Sequence, residues 1–141
     1  MDDDRAAIAA LVFGYAERLD AGDFAGVAAL FADAVFGAPD GPQRRGAAAV
    51  RAVLDEKVKR HPDGTPRTKH VTTNLVIEIA GTAATARSYF TVFQATADIR
   101  LQPIVAGRYH DRFVCDGGAW RFAERVVFID LVGDVSDHLH S

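Results

Sequence analysis

Tyr15, Asp20 and His70 are the residues whose types could do chemistry together. A carboxylate beside an imidazole orients the ring and raises its basicity, and the imidazole then moves a proton. A phenol can bind or protonate an oxygen. Two of the three lie in the stretch YAERLDAGDF from Tyr15 to Phe24, where one helix ends and another begins. Gly22 suits a left-handed C-cap there, and Asp23 suits the N-cap of the next helix. A buried Tyr and Asp beside a helix break are candidate pocket groups, and His70 is the partner to set opposite them.

Other polar residues offer alternatives. His70 opens a strand with Asn74 four residues on, so a period of two puts both on one face, where they could serve one ligand. The other reading is a strand-end His bound to a backbone group. Leu75, Ile77 and Ile79 take the opposite parity. If they face the helices, His70 points away from them unless a bulge intervenes. Arg108, His110 and Arg112 alternate along another strand; they could bind an anionic or carbonyl-bearing ligand, or form a surface ladder with Glu78 or Glu124. His138 and His140 share a polar tail and lack a third ligand, so no metal site is expected. The single cysteine, Cys115, reads as core filler.

Several function classes lack their sequence signals. There is no phosphate loop, HExxH, GxSxG or cysteine pair. For an enzyme, that leaves acid–base chemistry without a cofactor. A net charge of −3 argues against a nucleic-acid platform. The three aspartates at the start are unlike a secretory signal, and no run of about 18 apolar residues suggests a membrane span. The cytoplasm is the expected compartment.

The elements that must position these residues follow from periodicity. Ile8, Leu11, Val12, Tyr15 and Leu19 recur at helical spacing after Asp2, Asp3 and Asp4, any of which could cap the helix. That places Tyr15 on the buried stripe and leaves the direction of Asp20 open. A short helix carries Phe24, Val27, Leu30 and Phe31, and Ala34 to Phe36 reads as a brief strand. The segment GAPDGPQRRG is a loop, and a third helix runs from Gly46 to about Lys59. The period then changes to two, giving strands over His70–Ala80, Thr82–Ala95, Ile104–Cys115 and Ala119–Leu131. Gly81 and the run Asp116 to Gly118 make the turns. Three helices followed by a mainly antiparallel sheet is an α+β order. With 49% of its 141 residues hydrophobic, the chain can fill one core. One domain over residues 1–132 is expected, followed by a mobile polar tail over 133–141. Apolar groups on both strand faces predict a homodimer through the outer face.

This order of elements, with the motifs YAERLDAGDF, TKHVTTN and GRYHDRFVCDGGAWRFAERVV, resembles the SnoaL-like branch of the nuclear-transport-factor-2-like superfamily. The resemblance covers nearly the whole chain. It implies a cone, or cystatin-like α+β roll, whose three N-terminal helices lie in the concave face of a curved sheet over a largely apolar pocket. In similar scytalone and bile-acid dehydratases, a Tyr, an Asp at the end of the first helix and a strand His serve a dehydration without a cofactor. By that resemblance His70 would be the general base or acid, Asp20 its orienter and Tyr15 the oxygen-binding group. Asn74, Arg108, His110 and Phe36 would be substrate contacts.

Two positions depart from the scytalone dehydratase pattern. Its second catalytic His would fall in RSYFTVFQ, which has none, so His110 is the candidate substitute. Its second tyrosine is replaced by Phe36 or a neighbour. The acid of the ketosteroid isomerases would fall near Ala38, with Asp40 two residues off. The implied function is a cofactor-independent, dehydratase-like lyase, or an isomerase or cyclase, acting on a small hydrophobic, oxygenated, cyclic molecule. The alternative is a non-catalytic ligand-binding or assembly module of the same fold.

Overall fold

A computed structural model describes residues 2–141, apart from the side chain of Asp2. Its order is α1 (Asp2–Asp20), α2 (Phe24–Ala29), β1 (Val35–Gly37), β2 (Arg44–Arg45), α3 (Ala47–Lys57), β3 (Thr68–Ala80), β4 (Ala83–Gln94), β5 (Gln102–Asp116) and β6 (Ala119–Val132). The strands form one curved sheet in the order β2-β1-β6-β5-β4-β3. Among the described residues, β1 and β6 pair in parallel and the other neighbours are antiparallel. The fold is α+β with the helices N-terminal, as the order of periodicities implies. The cap expected of Asp2 lies outside the described residues, while Asp3 and Asp4 fall inside the first turn of α1.

The break after α1 fixes the direction of Asp20. The Gly22 N–H donates to Leu19 O at 3.0 Å and the Asp23 N–H to Arg18 O at 2.9 Å, the paired bonds of a Schellman motif. Gly22 has φ +76°, and a Cβ there would stand 2.1 Å from Gly64 O, so both its conformation and its contact require glycine. Asp20 is therefore the last helical residue, held against the loop that leads into β3. Asp23 Oδ1 accepts from Gly26 N at 2.8 Å and caps α2.

A bulge in β3 answers the strand-face problem. Thr73 pairs with Tyr89 but Val76 pairs with Arg87, so β3 carries one residue more than its neighbour over this interval. Asn74 adopts φ +53° there, in the left-handed region that asparagine tolerates better than most residues. Side-chain parity flips across it. Thr68, His70 and Thr72 face inward before the bulge, and Leu75, Ile77 and Ile79 face inward after it. Asn74 itself is exposed.

The core lies between the helices and the concave sheet face. Ile8, Val12, Tyr15 and Leu19 of α1 meet Phe24, Val27 and Phe31, with Val50 and Leu54 of α3 beside them. Phe90, Val92, Ile104, Tyr109, Phe113 and Phe122 complete it from the sheet. Two expectations are corrected. The loop GAPDGPQRRG contains β2, whose Arg44 and Arg45 pair with Phe36 and Val35. The C-terminal tail is docked: Leu139 bridges to Val58, Lys59 N donates to His138 O at 2.8 Å, and His140 N donates to Lys57 O at 2.9 Å. The backbone groups that α3 leaves unpaired at its end give the tail these partners.

Candidate active site

Asp20 and His70 meet at the end of α1. His70 Nδ1 lies 2.6 Å from Asp20 Oδ1, and the His70 backbone N–H donates to Asp20 Oδ2 at 2.9 Å. The Thr68 hydroxyl donates to Oδ1 at 2.8 Å. The helix end presents the carboxylate, and the inward parity of β3 before its bulge presents the hydroxyl and the ring. Both side chains are largely buried, at 11% and 6% exposure for Asp and His. Burial works against the charge on Asp20, but the His70 and Thr68 hydrogen bonds outweigh it and hold the carboxyl below the usual range. An ionised Asp20 fixes the Nδ1–H tautomer of His70, which leaves Nε2 as a proton acceptor.

The ring lines a cavity of about 580 Å³. Leu19, Phe36, Leu54, Phe90 and Val92 supply apolar wall, and Tyr15 and Tyr109 supply the phenols. The two tyrosine rings meet edge to face with centroids 5.7 Å apart. Phe90 stacks on Tyr109 at 4.5 Å, and a Cβ on Gly107 would come within 2.8 Å of the Phe90 ring. Burial raises the pKa of Tyr15, and raises that of Tyr109 further, so both stay protonated and able to donate.

A fully buried ion pair stands behind the phenols. Arg125 Nε and Nη2 bind Asp111 Oδ1 and Oδ2 at 2.8 and 2.9 Å. The guanidinium lies 3.7 Å from the Tyr109 centroid and 4.4 Å from that of Tyr15. Arg125 loses hydration through burial, yet Asp111 over-compensates and keeps it charged. Arg125 lowers the pKa of both phenols and Asp111 raises it, so the two charges oppose each other and burial decides the direction.

Of the residues singled out from sequence, Tyr15, Asp20, His70 and Phe36 line the cavity or stand beside it. Three others do not reach it. Asn74 forms the bulge and does not share a face with His70. Arg108 lies on the outer sheet face, paired with Asp130 at 2.8 and 3.1 Å. His110 packs there on Phe128 with centroids 4.7 Å apart and lines a separate outer groove. Period two explains both displacements, since Tyr109, Asp111 and Phe113 occupy the inward positions. The surface-ladder reading fits this face: Arg112 pairs with Glu124 and Arg87 with Glu78. Sequence reasoning missed Tyr109, Arg125 and His138 as site groups. The inward parity of Tyr109 with Phe113 was a usable signal for the first. Among the described residues, no group of three or more His, Cys, Asp or Glu could hold a metal ion, and no helix is long and apolar enough to cross a membrane.

Comparison with known proteins places this geometry in a family. The model of the SnoaL-like domain matches residues 3–126. A protein of unknown function from Mycobacterium tuberculosis, Rv3472, is 31% identical over 94% of this chain and 79% of its own, with a TM-score of 0.77. A protein from Novosphingobium aromaticivorans, provisionally assigned as a scytalone dehydratase, is 25% identical over 95% of this chain and 91% of its own, with a TM-score of 0.75. A nuclear-transport-factor-2-like protein with a cystatin-like fold, from the same organism, shares the fold at 21% identity over 96% of this chain and 86% of its own, with a TM-score of 0.77. A search of curated protein sequences gave no match. With the match spanning most of its length and its helices set against the concave face of the sheet, the chain belongs to the SnoaL-like family.

Proposed function

We propose that the protein is a cofactor-independent lyase that removes water from a small, hydrophobic, cyclic molecule carrying a hydroxyl β to a carbonyl. The observation that carries this reading is the Asp20–His70 pair, bonded at 2.6 Å and set into the wall of an apolar cavity that also holds Tyr15. His70 Nε2 takes the proton from the carbon between carbonyl and hydroxyl-bearing carbon. The electron pair moves onto the carbonyl oxygen, where a tyrosine hydroxyl donates to it. As the enolate collapses, the C–O bond breaks, a C=C bond forms, and the departing hydroxide takes the proton back from His70 and leaves as water. Asp20 stabilises the transient imidazolium. The neighbour provisionally assigned as a scytalone dehydratase supports a dehydration.

The test begins with a thermal-shift screen of cyclic hydroxy ketones, followed by mass analysis of any stabilising compound after incubation. The reading expects a product lighter by one water, formed by the native chain and not by His70→Ala. A set of tight-binding hydroxy ketones recovered unchanged would instead support a binding module.

A further inference from the structure

Residues 134–140 carry a second imidazole into the cavity wall. His138 is 5% exposed, and its ring lines the cavity with the centroid 6.0 Å from that of His70. Its backbone is fastened on several sides. Lys59 N donates to His138 O, Gln94 Nε2 donates to Asp137 O at 3.0 Å, Lys59 Nζ donates to Ser136 O at 2.7 Å, and His61 Nε2 lies 2.9 Å from Asp137 O. Asp134 closes a turn onto Ser136. These bonds fix the backbone that carries the imidazole into the cavity wall.

The two ring nitrogens of His138 differ. Nδ1 is sealed from solvent and has no hydrogen-bond partner among the described residues. The ring nonetheless lines the cavity, so Nε2 is the nitrogen left to meet a ligand there. A sealed N–H without an acceptor costs more than a sealed lone pair, so the hydrogen belongs on Nε2. His70 carries its hydrogen on Nδ1 toward Asp20 and keeps a lone pair on Nε2. With the centroids 6.0 Å apart, one ligand oxygen can sit within hydrogen-bond distance of a nitrogen of each ring.

We infer that His138 is a further catalytic residue, a neutral Nε2–H donor that binds a hydroxyl oxygen of the substrate against His70. The inference rests on the proposed lyase reading and names the contact that would select hydroxylated ligands. Burial, with His70 and His61 nearby, lowers the His138 pKa to about 4 although the Asp20 charge opposes this, so the ring is neutral at physiological pH.

The test compares binding of 2-naphthol and 2-methylnaphthalene, which has no oxygen to accept a hydrogen bond, by fluorescence titration to the native chain, His138→Phe and His138→Gln. The native chain is expected to prefer the naphthol about three- to tenfold, the value of one hydrogen bond. His138→Phe should lose most of the preference, keeping only what the hydroxyl gains from His70 Nε2, and His138→Gln, which keeps a donor, should restore part of it. If the phenylalanine variant does not fold, a lowered preference in the glutamine variant carries the test. No preference in the native chain, or an undiminished one in the variants, overturns the inference. The result is independent of turnover. A His138-dependent preference in a chain that never releases water would sustain this contact and defeat the lyase reading. Turnover with a preference indifferent to His138 would do the reverse.

Discussion

His70 Nδ1 stands 2.6 Å from Asp20 Oδ1 although the two residues are 50 positions apart in the chain. Two local irregularities make this meeting possible. The Schellman break at Gly22 stops α1 with Asp20 in its last turn, and the bulge at Asn74 turns His70 inward on a strand whose later residues have the opposite parity.

The bulge can be tested at Asn74, whose φ is +53°. Asn74→Val places a β-branched side chain in this left-handed conformation and is expected to destabilise the fold by roughly 1–3 kcal/mol, whereas Asn74→Gly should be near neutral. Urea denaturation of both variants checks this. Equal stability of the valine and native proteins would mean that the left-handed conformation is not required.

Much of the fold was legible in the sequence because its signals are periodic. The stripe Ile8, Val12, Tyr15, Leu19 and the alternation from Ile104 onward each point to one face of one element. The site was only partly legible, because it depends on where the periodicity fails. Nothing in TTNLV marks Asn74 as an extra residue, so His70 and Asn74 read as neighbours on one face. Arg125 and Asp111 look like surface charges until β5 and β6 pair Asp111 with Arg125 across the inward face. His138 sits in a polar tail whose docking depends on the open end of α3, a partner remote in sequence that no local pattern reveals.

The buried ion pair predicts an asymmetry between single and double variants. Asp111→Ala leaves Arg125 charged and unpaired and should cost about 3–5 kcal/mol. The double change Asp111→Leu with Arg125→Met should cost clearly less, since no charge is then stranded. Urea midpoints of the native, single and double proteins decide the matter, and equal losses in both variants would mean that the pair is not electrostatically coupled.

Acid should weaken the protein in two windows. His138 has a folded pKa of about 4 against an ordinary 6.5, so the unfolded chain takes up a proton first and stability falls as pH drops between these values. The slope is at most roughly 1.4 kcal/mol per pH unit. His70, Asp20 and His61 are the titratable groups acting on it. Asp20, whose folded pKa lies below the ordinary 3.8, stabilises above that value, and its contribution is lost at still lower pH. Urea midpoints followed into acid should decline in the upper window for the native chain, with a shallower decline for His138→Gln. The same decline in both proteins would assign the upper window to another group.

The outer sheet face is expected to be covered by a second copy of the chain. Val71, Val76 and Tyr89 are exposed there at 39%, 38% and 52%. They stand among Arg87–Glu78 and Arg112–Glu124 pairs, whose mixed signs allow a twofold match. Sedimentation at micromolar concentration should give a dimer that Tyr89→Glu weakens. A native monomer would contradict the expectation.

The central claim is that Asp20 and His70 act as one acid–base unit on a ligand in the cavity. Its most direct measurement is kcat/KM of native, Asp20→Asn and His70→Ala proteins on a substrate found by the dehydration screen. A loss of about 10²- to 10⁴-fold in each variant, with folding retained, is the predicted result. Full turnover in both variants would contradict it.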